Sequence, residues 1–199
     1  MRYLDSLILP TLENAQTISW RSPIAADEFA EYRDTAFLEK IGASDLATEL
    51  VAFWPRHGPQ WDALACSDAG HILLVEAKAH IDELCSPPTG AGDVSRAMIQ
   101  NALSETAAYL GARPIAPWTD AFYQVANRIA HLHFLRKHGK PAWLILVNFT
   151  GDLDMNGPAS QAEWEAAYRV VWHVLGLNRQ HALARYIVHV YPVVTNFSD

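Results

Sequence analysis

The stretch Trp61-Asp62-Ala63-Leu64-Ala65-Cys66, the turn signal Ser67-Asp68-Ala69-Gly70 and the run His71-Ile72-Leu73-Leu74-Val75-Glu76-Ala77-Lys78 decide how this chain folds. Two apolar runs flank a turn that ends in glycine, the pattern of a β-hairpin. A three-residue loop of Asp68, Ala69 and Gly70 puts Gly70 at the left-handed position such loops require. Ser67 then faces His71, and counting outward sets Asp62 opposite Glu76. Side chains alternate along a strand, so Lys78 shares a face with Glu76. One acid from each strand and one lysine therefore converge at the open end of the hairpin. A slip of one residue in register would undo that convergence.

Downstream, a helix is expected over Val94–Leu110, with Asp93 as its cap and Gly111 just past its end. A second helix is expected from Asp120 to Lys137, stopped by Gly139. Trp143–Phe149 is a continuous apolar run, the signature of a strand covered on both faces. Gln161–Leu175 reads as a helix, and Arg185–Val194 as a last strand whose Pro192 suits an edge. Upstream, residues 1–24 read as an irregular segment. Ala25–Ile41 reads as a helix, with Phe29, Tyr32, Ala36, Phe37 and Leu38 as its apolar stripe. Glu49–Trp54 suits a short strand, although a helix continued from Ser44 fits nearly as well. The expected order is α-β-β-β-α-α-β-α-β, an α/β fold with a mixed sheet flanked by helices, and the length suits one domain over 1–199.

Composition narrows the classes of function. Half of the 199 residues are hydrophobic, and 7 Trp, 7 Tyr and 7 Phe exclude a chain that is mainly disordered. A formal charge of -7 argues against gripping a polyanion by bulk positive charge. Such a partner would need a local basic patch or bridging metal ions. Cys66 and Cys85 make neither a disulfide scaffold nor a short-spaced metal pair. The opening residues carry Asp5 and stop their apolar run at Pro10, and no run approaches the ~18 apolar residues of a membrane span. The expectation is a cytoplasmic protein without a membrane partner.

Glu76 and Lys78 interrupt a run that should otherwise finish inside a sheet. Buried ions need partners, because desolvation costs several kcal/mol per ion. A Glu76–Lys78 pair alone requires no function. Asp62 changes the balance, because two neighbouring carboxylates repel unless a cation or proton sits between them. Mg²⁺ takes a few carboxylate oxygens and keeps several waters, which suits this trio. Lys78 is then placed to hold or deprotonate an attacking water, or to offset charge on a phosphoryl oxygen.

At these residues, Gly58-Pro59-Gln60-Trp61-Asp62 and Glu76-Ala77-Lys78, the sequence resembles the PD-(D/E)xK, or restriction-endonuclease-like, nuclease superfamily. The resemblance implies a core of a helix, three antiparallel strands, a helix and a further strand. It also implies phosphodiester hydrolysis with Mg²⁺ or Mn²⁺ on nucleic acid, DNA ahead of RNA. Asp62 and Glu76 would bind the metal, the main-chain carbonyl of Ala77 would add a ligand, and Lys78 would assist the water. Members often add a glutamate from the first helix, for which Glu39 is the candidate and Glu49 its rival. No proline directly precedes Asp62, since Pro59 stands three positions earlier. The stretch from Trp54 to Leu84, with Tyr123–Arg128, also looks like a group of uncharacterised bacterial proteins of this fold.

Tyr123, Asn127 and His131 recur at four-residue steps on the Asp120–Lys137 helix, with Gln124 and Arg128 beside them. This polar stripe either lies in solvent or faces the acids, and members of the superfamily use a Gln and a Tyr on a helix after the lysine strand. Tyr123 and Gln124 are thereby candidate catalytic residues, and Asn127 and Arg128 candidate substrate contacts. A zinc site is not expected, since His131 and His133 point roughly 200° apart on one helix. Arg136, Lys137, His138 and Lys140 form a small basic group at its C-terminus, where the helix dipole favours cations regardless of function. Two other classes stay open: a non-catalytic interaction module that keeps the fold, and a hydrolase of a small phosphorylated molecule.

Overall fold

Five short extended segments pair into one mixed sheet: β1 (Ile18–Ser22), β2 (Ala63–Ser67), β3 (Ile72–Lys78), β4 (Ala142–Asn148) and β5 (Ile187–Val190). The structure is a computed structural model that describes residues 2–152 and 154–194. The strands lie side by side in chain order. β1, β2 and β3 are antiparallel, whereas β4 and β5 run parallel to β3. The hairpin has the register its loop dictates, with Ala63 opposite Val75 and Cys66 opposite Ile72. Gly70 sits at φ +82°, and its N–H donates to the Ser67 carbonyl.

The helices are α1 (Arg2–Ile8), α2 (Asp34–Lys40), α3 (Ala47–Phe53), α4 (Asp93–Tyr109), α5 (Tyr123–Lys137) and α6 (Gln161–Val174). Alternation sends Leu64, Leu74, Leu144 and Leu146 to one face, where they meet Ile129 and Leu132 of α5 and Trp164 and Val171 of α6. Ala65, Leu73, Val75, Trp143 and Ile145 point to the other face, under Ile8 and Leu12. β4 is buried at all its positions, as an apolar run covered on both faces should be. Among the described residues, no helix is long and apolar enough to cross a membrane.

Four expectations are revised. Residues 1–24 are not irregular where described: they hold α1, β1 and the residues that cover the second face of the sheet. β1 escapes a periodicity reading because it is an edge strand of Ile, Ser, Trp, Arg and Ser with little buried surface. Of the two readings of Glu49–Trp54 the helical one holds and the strand falls away: a turn from Ser44 runs into α3, which ends at Phe53. Its Val, Ala and Phe mimic strand composition, but Leu50 and Trp54, four apart, are buried and Val51 between them is 60% exposed. The helix expected over Ala25–Ile41 is broken. Glu28, Phe29 and Asp34 take positive φ, and the α-helix starts only at Asp34. The last strand is also shorter than Arg185–Val194, with Pro192 beyond its ladder.

Candidate active site

The β2–β3 ladder stops at the Ala63–Val75 pair, and a side chain continues it. Asp62 Oδ2 accepts the Ala77 N–H at 2.6 Å. This bond ties the first acid to the middle of the Glu76-Ala77-Lys78 run. The loop before Asp62 is fixed from α2, where the Asp34 carboxylate accepts the N–H groups of His57 and Gly58 at 3.2 and 2.9 Å. A Cβ at Gly58 would lie 3.2 Å from Trp54 Cδ1 and 3.3 Å from Asp34 Oδ1, so a larger residue there would push those side chains by a few tenths of an ångström. Trp61 is fully buried, and its main-chain N–H donates to the Tyr32 carbonyl.

Glu76 and Lys78 are both buried on the α5 side of the sheet. Lys78 Nζ donates to Glu76 Oε1 at 2.7 Å, and Arg128 Nε donates to Glu76 Oε2 at 2.5 Å. Arg128 also donates to the Gln60 carbonyl (2.8 Å) and Asn127 Oδ1 (2.9 Å), with its guanidinium over the Trp61 ring. Asp62, half-buried, has its pKa raised to about 6, first by burial and then by the neighbouring Glu76 charge; the Ala77 N–H, Lys78 and Arg128 pull the other way. Two acids and two bases thus occupy one end of the hairpin, and Asp62 is the acid left undercompensated.

An open cavity of about 560 Å³ exposes this cluster. Asp62, Glu76 and Lys78 line it from the sheet, and Tyr123, Gln124, Asn127 and Arg128 from α5. The polar stripe of α5 therefore faces the acids and is not a solvated face; α5 is buried from Val125 to Leu135. Gln124 is held at the start of that helix by its N–H to Ser86 Oγ at 3.0 Å, and Ser86 also lines the cavity. Arg128 comes to the site as a clamp on Glu76, with each of its three nitrogens already donating one hydrogen bond. His131 sits deeper, its ring against Phe37, Phe53, Trp54 and Trp61, with Nδ1 2.9 Å from the Asn127 carbonyl.

Glu39 is exposed on α2 and Glu49 on α3, and neither lines this cavity. The upstream acid that does so is Glu31, whose Oε2 accepts the Gln60 amide at 3.0 Å. No local pattern marks Glu31. It arrives through the isolated Tyr32–Trp61 bridge between distant segments. Glu83 caps the turn after β3, accepting the N–H groups of Ala79 and His80, with its other oxygen 3.8 Å from Lys78. The basic group at the end of α5 is largely engaged: Arg136 on the Tyr186 ring, Lys137 with Glu105, and Lys140 with Asp45.

The donors suit a hard cation that keeps most of its water. Asp62 and Glu76 offer oxygens, and the crowded charge on Asp62 is what a cation would relieve. Among the described residues no group of three or more His, Cys, Asp and Glu is arranged to hold a metal, so a fully protein-ligated site has no basis here. No family model, curated protein or solved structure matches the chain.

Proposed function

We propose that this chain is a cytoplasmic metal-dependent nuclease, hydrolysing phosphodiester bonds in nucleic acid on a restriction-endonuclease-like core. The observation that carries this reading is the meeting of Asp62, Glu76 and Lys78 in one open cavity at the end of the β2–β3 hairpin. The order α1, β1–β2–β3 antiparallel, α5 and then β4 supports the core, with α2 and α3 between β1 and β2 and α4 before α5. Asp62, Glu76 and the Ala77 carbonyl would hold Mg²⁺ or Mn²⁺, which supplies charge neutralisation and a more acidic bound water. Lys78 has three N–H donors and gives one to Glu76, so it keeps donors for an attacking water or a phosphoryl oxygen. Tyr123 and Gln124 stand across the cavity at the start of α5 to contact the phosphate being cleaved. Arg128 positions Glu76.

The test is purified protein against single- and double-stranded DNA and RNA across a Mg²⁺ and Mn²⁺ titration. Cleavage is expected only with metal, falling by about 10²-fold or more in Lys78→Ala and in Asp62→Ala at unchanged circular dichroism. Equal activity in both variants overturns the reading. A second reading, a non-catalytic interaction module, is favoured by one observation: both Glu76 oxygens already engage cations. Absence of both cleavage and metal affinity would select it.

A further inference from the structure

A second cavity, of about 430 Å³, lies between α6 and the edge strand β5. Its size is within the roughly 300–1,000 Å³ of small-ligand sites. Tyr168, Trp172, His189 and Tyr191 line it as a run of touching rings. Tyr168 and Trp172 stack at 5.5 Å, His189 meets Tyr168 edge-on at 4.3 Å, and Tyr191 stacks on His189 at 6.2 Å. Burial holds the His189 pKa down at about 4, so its ring is neutral at pH 7.

Polar groups at this cavity are left for a ligand. Among the described residues, neither the Trp172 indole N–H nor the Tyr191 hydroxyl has a hydrogen-bond partner in the structure, and Arg179 makes no hydrogen bond or ion pair. Arg169 uses only its Nε, on the Glu165 carbonyl. Glu165, which also lines the cavity, binds the Gln161 amide. Rings with free polar tips and two arginines at the rim suit a planar, hydrogen-bonding ligand that carries an anion.

The cavity is aligned with the candidate active site. Glu76 pairs in register with Leu146, and Leu146 with His189, so Glu76 and His189 share a row on the same face two strands apart, about 10 Å. Between the two cavities lies Asn148, paired with Lys78, with Nδ2 3.3 Å from His189 Nδ1 and a buried Oδ1 that has no partner. The second cavity runs along β5, with Ala184 and Ile187 at its amino end and His189 and Tyr191 toward its carboxyl end, whereas Glu76 and Lys78 lie toward the carboxyl end of β3.

The geometry points to this cavity as the seat of an unpaired base of single-stranded nucleic acid, stacked on the Trp172–Tyr191 rings with its phosphate on Arg179 and Arg169. The inference rests on the nuclease reading for its substrate class, which it narrows from nucleic acid to single strands. A paired base is excluded, since only an unstacked base can enter between a helix and a sheet edge.

The test is fluorescence anisotropy of the full chain in EDTA, so that binding is read without cleavage, with a labelled ten-thymidine strand and the matching duplex. The single strand is expected to bind at least about tenfold more tightly than the duplex. Trp172→Ala should weaken it about tenfold or more, Trp172→Phe should restore most of the affinity, and Arg179→Gln should weaken it severalfold while reducing the salt slope by about 1. Equal binding of the duplex, or of all three variants, overturns the inference. Tight binding lost in Trp172→Ala, in a protein that never cleaves, sinks the hydrolytic reading alone. Metal-dependent cleavage with binding indifferent to Trp172 and Arg179 sinks the base site alone.

Discussion

At its turn end the β2–β3 hairpin is closed mainly by main-chain hydrogen bonds. Ser67 N–H donates to the His71 carbonyl, His71 N–H donates to Ser67 Oγ at 3.1 Å, and Asp68 accepts the N–H groups of Gln16 and Thr17. At its open end the same pair of strands is closed by side chains. Asp62 replaces the missing ladder partner, and Glu76 is neutralised by Lys78 two residues on and by Arg128 from a helix fifty-two residues on. One register serves both ends. What differs is the kind of partner: at the turn they are main-chain groups and one hydroxyl around an exposed acid, at the open end they are buried charged side chains that must neutralise one another. A site assembled from distant elements is costly to maintain and open to solvent, and that is where chemistry has room to act.

The largest expected effect tests that contrast directly. Arg128→Ala leaves Glu76 buried with half its compensation and frees the Gln60 carbonyl and Asn127, so stability should fall by about 3–5 kcal/mol in urea unfolding. A loss below about 1 kcal/mol would mean that the open end is hydrated like a surface, and the distinction between the two ends would collapse.

The next effect reads the packing behind the open end. His131 is buried against Trp61, and its pKa is lowered to about 3, first by burial; the Arg128 charge adds to this, while the Asn127 carbonyl and Asp34 oppose it. In the unfolded chain the ring titrates near 6.5. Above that pH the neutral ring contributes fully to stability, and the contribution is lost as pH falls toward 3, at about 1.4 kcal/mol per pH unit. His131→Phe should therefore flatten the fall in stability between pH 6.5 and 5 by about 2 kcal/mol, measured as urea unfolding at several pH values. His189, with its pKa near 4, keeps its own share of the slope in the variant. An unchanged slope would show that acid reaches this ring without unfolding.

What the sequence disclosed follows the same division. The hairpin, its register and the facing of Asp62, Glu76 and Lys78 are local consequences of a turn and of alternation, so they could be counted residue by residue. β4 was legible because a strand buried on both faces has no polar side to confuse it. The clamp of Arg128 on Glu76 was not legible, since nothing at position 128 announces which strand end α5 will cross. Glu31 was hidden for a similar reason, and Glu39 took its place because only helical position could be judged. β1 was missed because an edge strand with few buried residues carries little apolar signal.

The smallest effect separates the turn's conformation from the register of the strands it joins. Gly70→Ala places an L residue at φ +82°, and no atom lies within 4 Å of the added Cβ, so the cost is conformational alone, about 1 kcal/mol, seen as a lower urea midpoint at constant slope. The register is also held from both faces, by Leu64 and Leu74 under α5 and by Ala65 and Leu73 under the N-terminal residues. A slip of one residue would turn all four the wrong way, at a cost several times the strain at Gly70. Binding and cleavage should therefore be unaltered in Gly70→Ala. If they were lost while stability dropped by only that amount, the turn, and not the packed faces, would be what keeps Asp62 opposite Glu76.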